Sequence, residues 1–299
     1  MENIESENEA DKRHSLQNRL RADVHRAVGG AMNLLRELGR ISQQLEKDVQ
    51  HEWMMKRLAF FAWELAALVP ADTSEEARLA ILNRFFFKEK AFSCTTDGSR
   101  LSNPSGNYQL GRVLLERKGA PSLIAILYAY LAERLDITLE LIDLKTVCLL
   151  KWSDRGVSRY IDITRSGLVL AGDELLNLLH EEATGPRAGA DRVLESHSFE
   201  SYLTGYIREL KAVLVPTSDP QVLLFLQNLL ISYQPSQLIL LGERALLHRR
   251  LGNFKSALND LKRYFAFHDR ASAPAELIKL YEDLVLLLER HKANIDLVE

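Results

Sequence analysis

Residues 107–135 read NYQLGRVLLERKGAPSLIAILYAYLAERL, and residues 136–164 read DITLELIDLKTVCLLKWSDRGVSRYIDIT. The two halves carry different periods. In the first, Ile124, Leu127, Tyr128, Leu131 and Leu135 recur at steps of three and four, which gives a helix one apolar stripe. Pro121 suits the first turn of that helix, where its missing N–H would have no partner anyway. In the second half, Thr138–Leu144 and Val147–Trp152 are short apolar runs of strand content, and Ser153-Asp154-Arg155-Gly156 is a turn signal. Tyr160-Ile161-Asp162-Ile163-Thr164 alternates, with Ile161 and Ile163 on one face. A helix followed by three short strands predicts a small antiparallel sheet, and no other convincing strands are expected. The fold class is α+β, mostly helical.

Upstream, residues 1–14 carry Glu2, Glu5, Glu7, Glu9 and Asp11 with almost no apolar side chains, and read as a disordered lead. From Leu16 the spacing turns helical through Leu20, Val24, Val28, Ala31, Leu35, Leu38, Leu45 and Val49. Gly29, Gly30 and Gly39 weaken that helix or break it. A second helix is expected at about 52–68 with Trp53, Trp63 and Leu65, and a third at about 74–88 behind the caps Asp72-Thr73-Ser74. Residues 93–106 form a polar loop, and a short helix at about 107–117 follows.

Downstream, a helix at about 172–182 precedes Thr184–Asp191, the best linker candidate. Five more helices are expected, at about 198–214, 219–232, 236–250, 254–267 and 274–291. The two that meet at Leu251-Gly252-Asn253 read as a helical hairpin. Ala245 and Ala257 flank Gly252, with Phe254 and Leu261 beyond, a pattern that fits one tetratricopeptide unit: small residues where two helices cross and a glycine at the turn. The expected organisation is a lead at 1–14, a helical region and core at 15–185, and a C-terminal helical domain at 192–299.

The chain has 299 residues, a net charge of −3 and a hydrophobic fraction of 46%. Only 15 Gly and 8 Pro occur, below the average of roughly 7% and 5%, which argues for helix over a loop-rich β fold. The balanced charge argues against direct nucleic-acid binding. Two cysteines exclude a disulfide scaffold and a four-cysteine zinc site. The longest apolar stretch, Leu123–Ala132, is about half of the roughly 20 residues of a membrane span. The acidic N-terminus lacks the apolar core of a signal peptide. A cytoplasmic protein with no membrane contact is expected.

Motifs for chemistry are sparse. The eight histidines show no metal-ligand spacing, and there is no phosphate-binding glycine loop. No metal and no cofactor are expected. Ser122 could be read as a nucleophile, but no histidine lies between His51 and His180 to serve as its base, so it reads as a first-turn serine. Cys148 in its apolar run reads as a buried structural thiol, and Cys94 sits in a polar loop without a nameable partner.

The stretch from Leu82 to Asp162 resembles the SirB family of bacterial transglutaminase-like proteins, which carry a tetratricopeptide-like C-terminal region. The resemblance rests on Leu82-Asn83-Arg84-Phe85-Phe86-Phe87 with Phe92; on Asn107, Leu110, Val113-Leu114 and Glu116-Arg117-Lys118-Gly119; on Pro121-Ser122-Leu123 with Leu127-Tyr128 and Ala132-Glu133-Arg134-Leu135; and on Tyr160-Ile161-Asp162. It implies a papain-like core with a nucleophile slot on a helix and histidine and acid slots on strands. The slots fall at Pro121, Val147 and Asp162. Proline offers no nucleophile and valine no base, so the resemblance implies that the thiol mechanism cannot run there. Cys148 follows the histidine slot, but strand alternation turns it to the opposite face from Val147.

The leading expectation is a non-catalytic, regulatory scaffold that binds a protein partner through its C-terminal helical domain, with homo-oligomerisation left open. The alternative is a thiol- or serine-dependent amidohydrolase or acyltransferase that uses non-standard residues.

Overall fold

The computed structural model describes residues 30–46, 50–95, 104–143, 148–154, 157–170, 174–175, 177, 197–216 and 219–296. The expected lead at 1–14, the helix over Leu16–Val28, the linker Thr184–Asp191 and the slot residue Val147 lie outside them. Helices α1 (Ala31–Leu45) and α2 (His51–Ala66) come first. Gly30 is the N-cap of α1, and the Ala31 N–H donates to Glu133 Oε1 at 2.6 Å, so a distant carboxylate closes that helix end. Helix α3 (Glu75–Asn83) is capped as its sequence suggests: Ser74 Oγ accepts from the Ala77 N–H, and Glu75 and Glu76 occupy the positive first turn.

The helix expected to run to residue 88 changes character earlier. At Arg84–Glu89 it widens into a π turn that ends at Ala91, whose φ is +54°. The turn sends Phe85 and Phe86 inward, and Phe86 stacks on Phe92 at 4.5 Å. A 3-10 turn at Pro104–Tyr108 leads to α4 (Leu110–Glu116), so the helix expected at 107–117 starts late. Arg117 ends it in the left-handed region at φ +62°.

Two strands that the sequence did not disclose follow from this. β1 (Ser93–Cys94) and β2 (Lys118–Gly119) pair in parallel, with Ser93 opposite Lys118 and Cys94 opposite Gly119. Two residues are too few to show an alternating pattern, so only the approach of the segments reveals them. Helix α5 (Pro121–Glu133) starts directly after, and Ser122–Ala132 are all buried. The main sheet has the order β3 (Leu139–Asp143), β4 (Cys148–Asp154), β5 (Val157–Asp162), β6 (Leu168–Val169), all antiparallel. β6 is the third strand that the sequence pattern missed. Its two residues are held by pairing with Ile161 and Asp162.

The chain divides into two compact units, 1–202 and 203–299, and the division falls inside α6 (Phe199–Leu214). The second unit continues through α7 (Pro220–Tyr233), α8 (Ile239–Arg250), α9 (Phe254–Phe265) and α10 (Ala275–Asp296). Asp219 caps α7 by accepting from the Gln221 N–H, with Pro220 at the first helical position. Leu241, Ala245, Ala257, Leu261, Tyr264, Leu277, Leu280 and Leu284 form one buried cluster from α8, α9 and α10. No described helix is long and apolar enough to cross a membrane.

Candidate functional site

The start of α5 is clamped rather than open. Thr95 donates to the Gly119 carbonyl through both its N–H (2.9 Å) and its hydroxyl (3.1 Å). The Ala120 N–H donates to Asn107 O at 2.8 Å. A side chain at 119 would meet Val113 Cγ2 at 2.8 Å and Asn107 O at 3.2 Å, so the close approach admits only glycine. Pro121 stands at the first helical position with no nucleophilic atom. Ser122 is buried, and its carbonyl accepts from the Tyr202 hydroxyl at 2.9 Å.

Register separates the remaining candidates. Leu149 pairs with Asp162 and Leu150 with Ile161, and paired residues share a face. Asp162 therefore lies on one face of the sheet with Leu149. Cys148, one residue away in β4, lies on the other with Leu150. Its Sγ is buried against the Tyr202 hydroxyl at 3.5 Å. Cys148 and Asp162 thus do not form a dyad.

Asp162 is fully buried, and its carboxylate is occupied by the chain that immediately follows. Oδ1 accepts from the Thr164 N–H at 2.8 Å, the Thr164 hydroxyl at 2.5 Å and the Arg165 N–H at 3.3 Å. Oδ2 accepts from Arg165 Nε at 2.7 Å. That bond, followed by the attraction of the Asp162 and Glu174 carboxylates, holds the Arg165 guanidinium above its ordinary value against some desolvation. The group acts as the anchor of a turn (Ser166 and Gly167 both take positive φ), with both of its oxygens bonded to Thr164 or Arg165.

Cys94 is the residue whose surroundings the sequence hid. It sits opposite Gly119, two residues before Pro121, and its thiol donates to Ile163 O at 3.5 Å. Burial first, and then the negative charge of Asp162, push this thiol up to about 12. It is a protonated donor at neutral pH, not a nucleophile. Its partner lies 69 residues away, so no local pattern could have named it. Tyr202, which bridges Ser122 and Cys148, was missed for the same reason.

Among the described residues, no histidine hydrogen-bonds Asp162 or Cys94. In this unit, His51 contacts the Arg36 carbonyl. The His197 N–H donates to Leu141 O at 2.9 Å, and its ring lies 3.0 Å from the Ser201 hydroxyl. Among the described residues, no group of three His, Cys, Asp or Glu side chains could hold a metal ion, and both cysteines are free thiols.

In the second unit the hairpin residues separate. Ala245, Ala257 and Leu261 are buried together, and Gly252 takes φ +74° in the turn. Phe254 is 38% exposed rather than packed with them. It is the first residue of α9, so no preceding turn of helix lies under its side chain. Beside this hairpin, Arg244 grips Asp260 through two bonds, Nε to Oδ2 at 2.7 Å and a terminal nitrogen to Oδ1 at 2.6 Å.

The family profile of the transglutaminase-like superfamily matches residues 35–208. A UPF0162 protein of Xylella fastidiosa (strain Temecula1 / ATCC 700964) is 28% identical over 196 residues, which cover 64% of this chain and 68% of that protein.

Proposed function

The chain belongs to the transglutaminase-like superfamily, and we propose that it is a non-catalytic member that works as a regulatory scaffold by binding another protein. The observation that carries this reading is the state of Asp162: the one acid left in the catalytic slots bonds Thr164 and Arg165 of its own turn through both oxygens, and no histidine among the described residues. Proline at 121 and a thiol at 94 raised to about 12 add no nucleophile. The histidine slot reads valine in the sequence. On this reading the protein is SirB-like and acts in a bacterial cytoplasm. Its C-terminal unit presents a tetratricopeptide-like hairpin, with Ala245 and Ala257 at the crossing and Gly252 in the turn, to the partner.

The test is iodoacetamide labelling of the folded chain at neutral pH, read residue by residue, together with an assay on amide and ester substrates. Cys94 is expected to react on the order of a thousandfold more slowly than a free cysteine, because so little thiolate is present. Cys148 is expected to be slow through burial. Turnover is expected to stay at background, while affinity capture recovers one stoichiometric protein. A single fast-labelling cysteine, with turnover lost on its replacement by serine, would overturn the reading.

A further inference from the structure

Helix α2 carries apolar side chains on two sides. Met54, Leu58, Phe61 and Leu65 are buried in the first unit. The other side carries Trp53, Phe60 and Trp63, which are 36%, 46% and 67% exposed. At one hundred degrees per residue Trp63 lies nearly opposite the buried stripe, with Phe60 and Trp53 about 130° and about 110° round from it. Phe60 and Trp63 pack on each other with ring centroids 5.8 Å apart, and Arg57 leans over Phe60. The ion pair of Lys56 with Glu52 lies on the same side, so the exposed face is an aromatic cluster beside one charged pair, and Trp, aromatic and Arg side chains are what interfaces are made of.

We propose that residues 1–29 of the same chain cover this face. The segment joins the structure at Gly30, the cap of α1, and α1 is the helix that α2 packs against: Gly39 faces His51 and Met55, and His51 contacts the Arg36 carbonyl. The distance from Gly30 to Gly39 is about 14 Å along the helix, well within the reach of 29 residues. Leu16, Leu20, Val24 and Val28 recur every four residues and give the segment a matching apolar stripe. The segment carries both signs, with Glu2, Glu5, Glu7, Glu9 and Asp11 ahead of the stripe and Arg19, Arg21 and Arg26 interleaved with it, and Lys56 on the face is already paired with Glu52 at 2.6 Å, so reach and apolar period, not charge, select this occupant. This inference does not depend on the scaffold reading.

Tryptophan quenching tests it on the full chain. Trp152 is buried and donates to Glu75, so collisional quenching by acrylamide reports on Trp53 and Trp63. The intact monomer is expected to quench weakly. Leu20→Asp with Val24→Asp is expected to raise the quenching constant about twofold, because two of the three indoles open to solvent. Arg57→Glu, which attacks the contact from the other side and leaves the segment intact, is expected to raise it likewise, and the triple variant to go no further. The blue-shifted emission of Trp152 must survive in every variant, so that exposure by unfolding is not mistaken for release. Strong quenching already in the intact chain overturns the proposal, as does weak quenching that neither variant changes. A dimeric mass that Trp63→Ser reduces to a monomer also overturns it, because a second copy then covers the face.

Discussion

Two buried aspartates, one in each unit, are held in opposite ways. Asp162 is satisfied within three residues by its own turn, Thr164 and Arg165. Asp260 is satisfied from a neighbouring helix, by the two-pronged grip of Arg244, with His248 at 3.9 Å. The first fixes the path of the chain at the end of β5. The second ties α9 to α8, and Arg244 also reaches Asn228 on α7. A carboxylate buried in a catalytic slot is therefore not in itself a sign of catalysis. What matters is whether its lone pairs are already spoken for, and by which part of the chain.

The comparison breaks most visibly at Asp260. Asp260→Ala leaves Arg244, itself only 20% exposed, facing the vacancy, and should cost about 3–5 kcal/mol. Urea unfolding followed by far-ultraviolet dichroism checks this. All three tryptophans lie in residues 1–202, so their fluorescence reports on the other unit separately. Asp162→Ala should cost less, about 1–3 kcal/mol, because half-exposed Arg165 regains water when its partner goes. The tryptophan-detected transition should show it, and catalytic turnover should not change.

Gly252→Ala sharpens the picture of the hairpin. A Cβ there meets nothing within 4 Å, so only the positive φ is strained, and the loss should be about 1 kcal/mol. A larger loss would mean that the turn is packed against something the geometry does not show. The smallest effect concerns pH. Burial, helped by the repulsion of Arg244 and outweighing the attraction of Asp260, holds His248 below its ordinary value of 6.5. The unfolded chain then takes up a proton that the folded one refuses, so stability falls as pH drops below about 6.5. His248→Gln should flatten that slope in the dichroism-detected transition between pH 7 and 5.

Much of this was legible beforehand because it is local. Ser74 with Glu75 and Glu76, Pro121 at a helix start, the strands after Leu135 and the glycine between α8 and α9 all act within a few residues of chain, where spacing and turn chemistry suffice. The π turn at Arg84–Glu89 was not legible, because its purpose is to place Phe85 and Phe86 in a core made by distant segments. Phe254 was misjudged because composition at a hairpin does not say which side of a helix start a ring will take.

The sequence by itself determined the helical class, the sheet beside α5, and the absence of a nucleophile at Pro121. These depend on which side chains are present and on their period. Only the tertiary structure decided that Asp162 is consumed by its own turn, that Cys94 stands beside it as a protonated thiol, and that Cys148 faces away. Those outcomes depend on register and burial, which set which face a side chain takes and how far its charge is from water. Neither quantity exists until segments tens of residues apart have met.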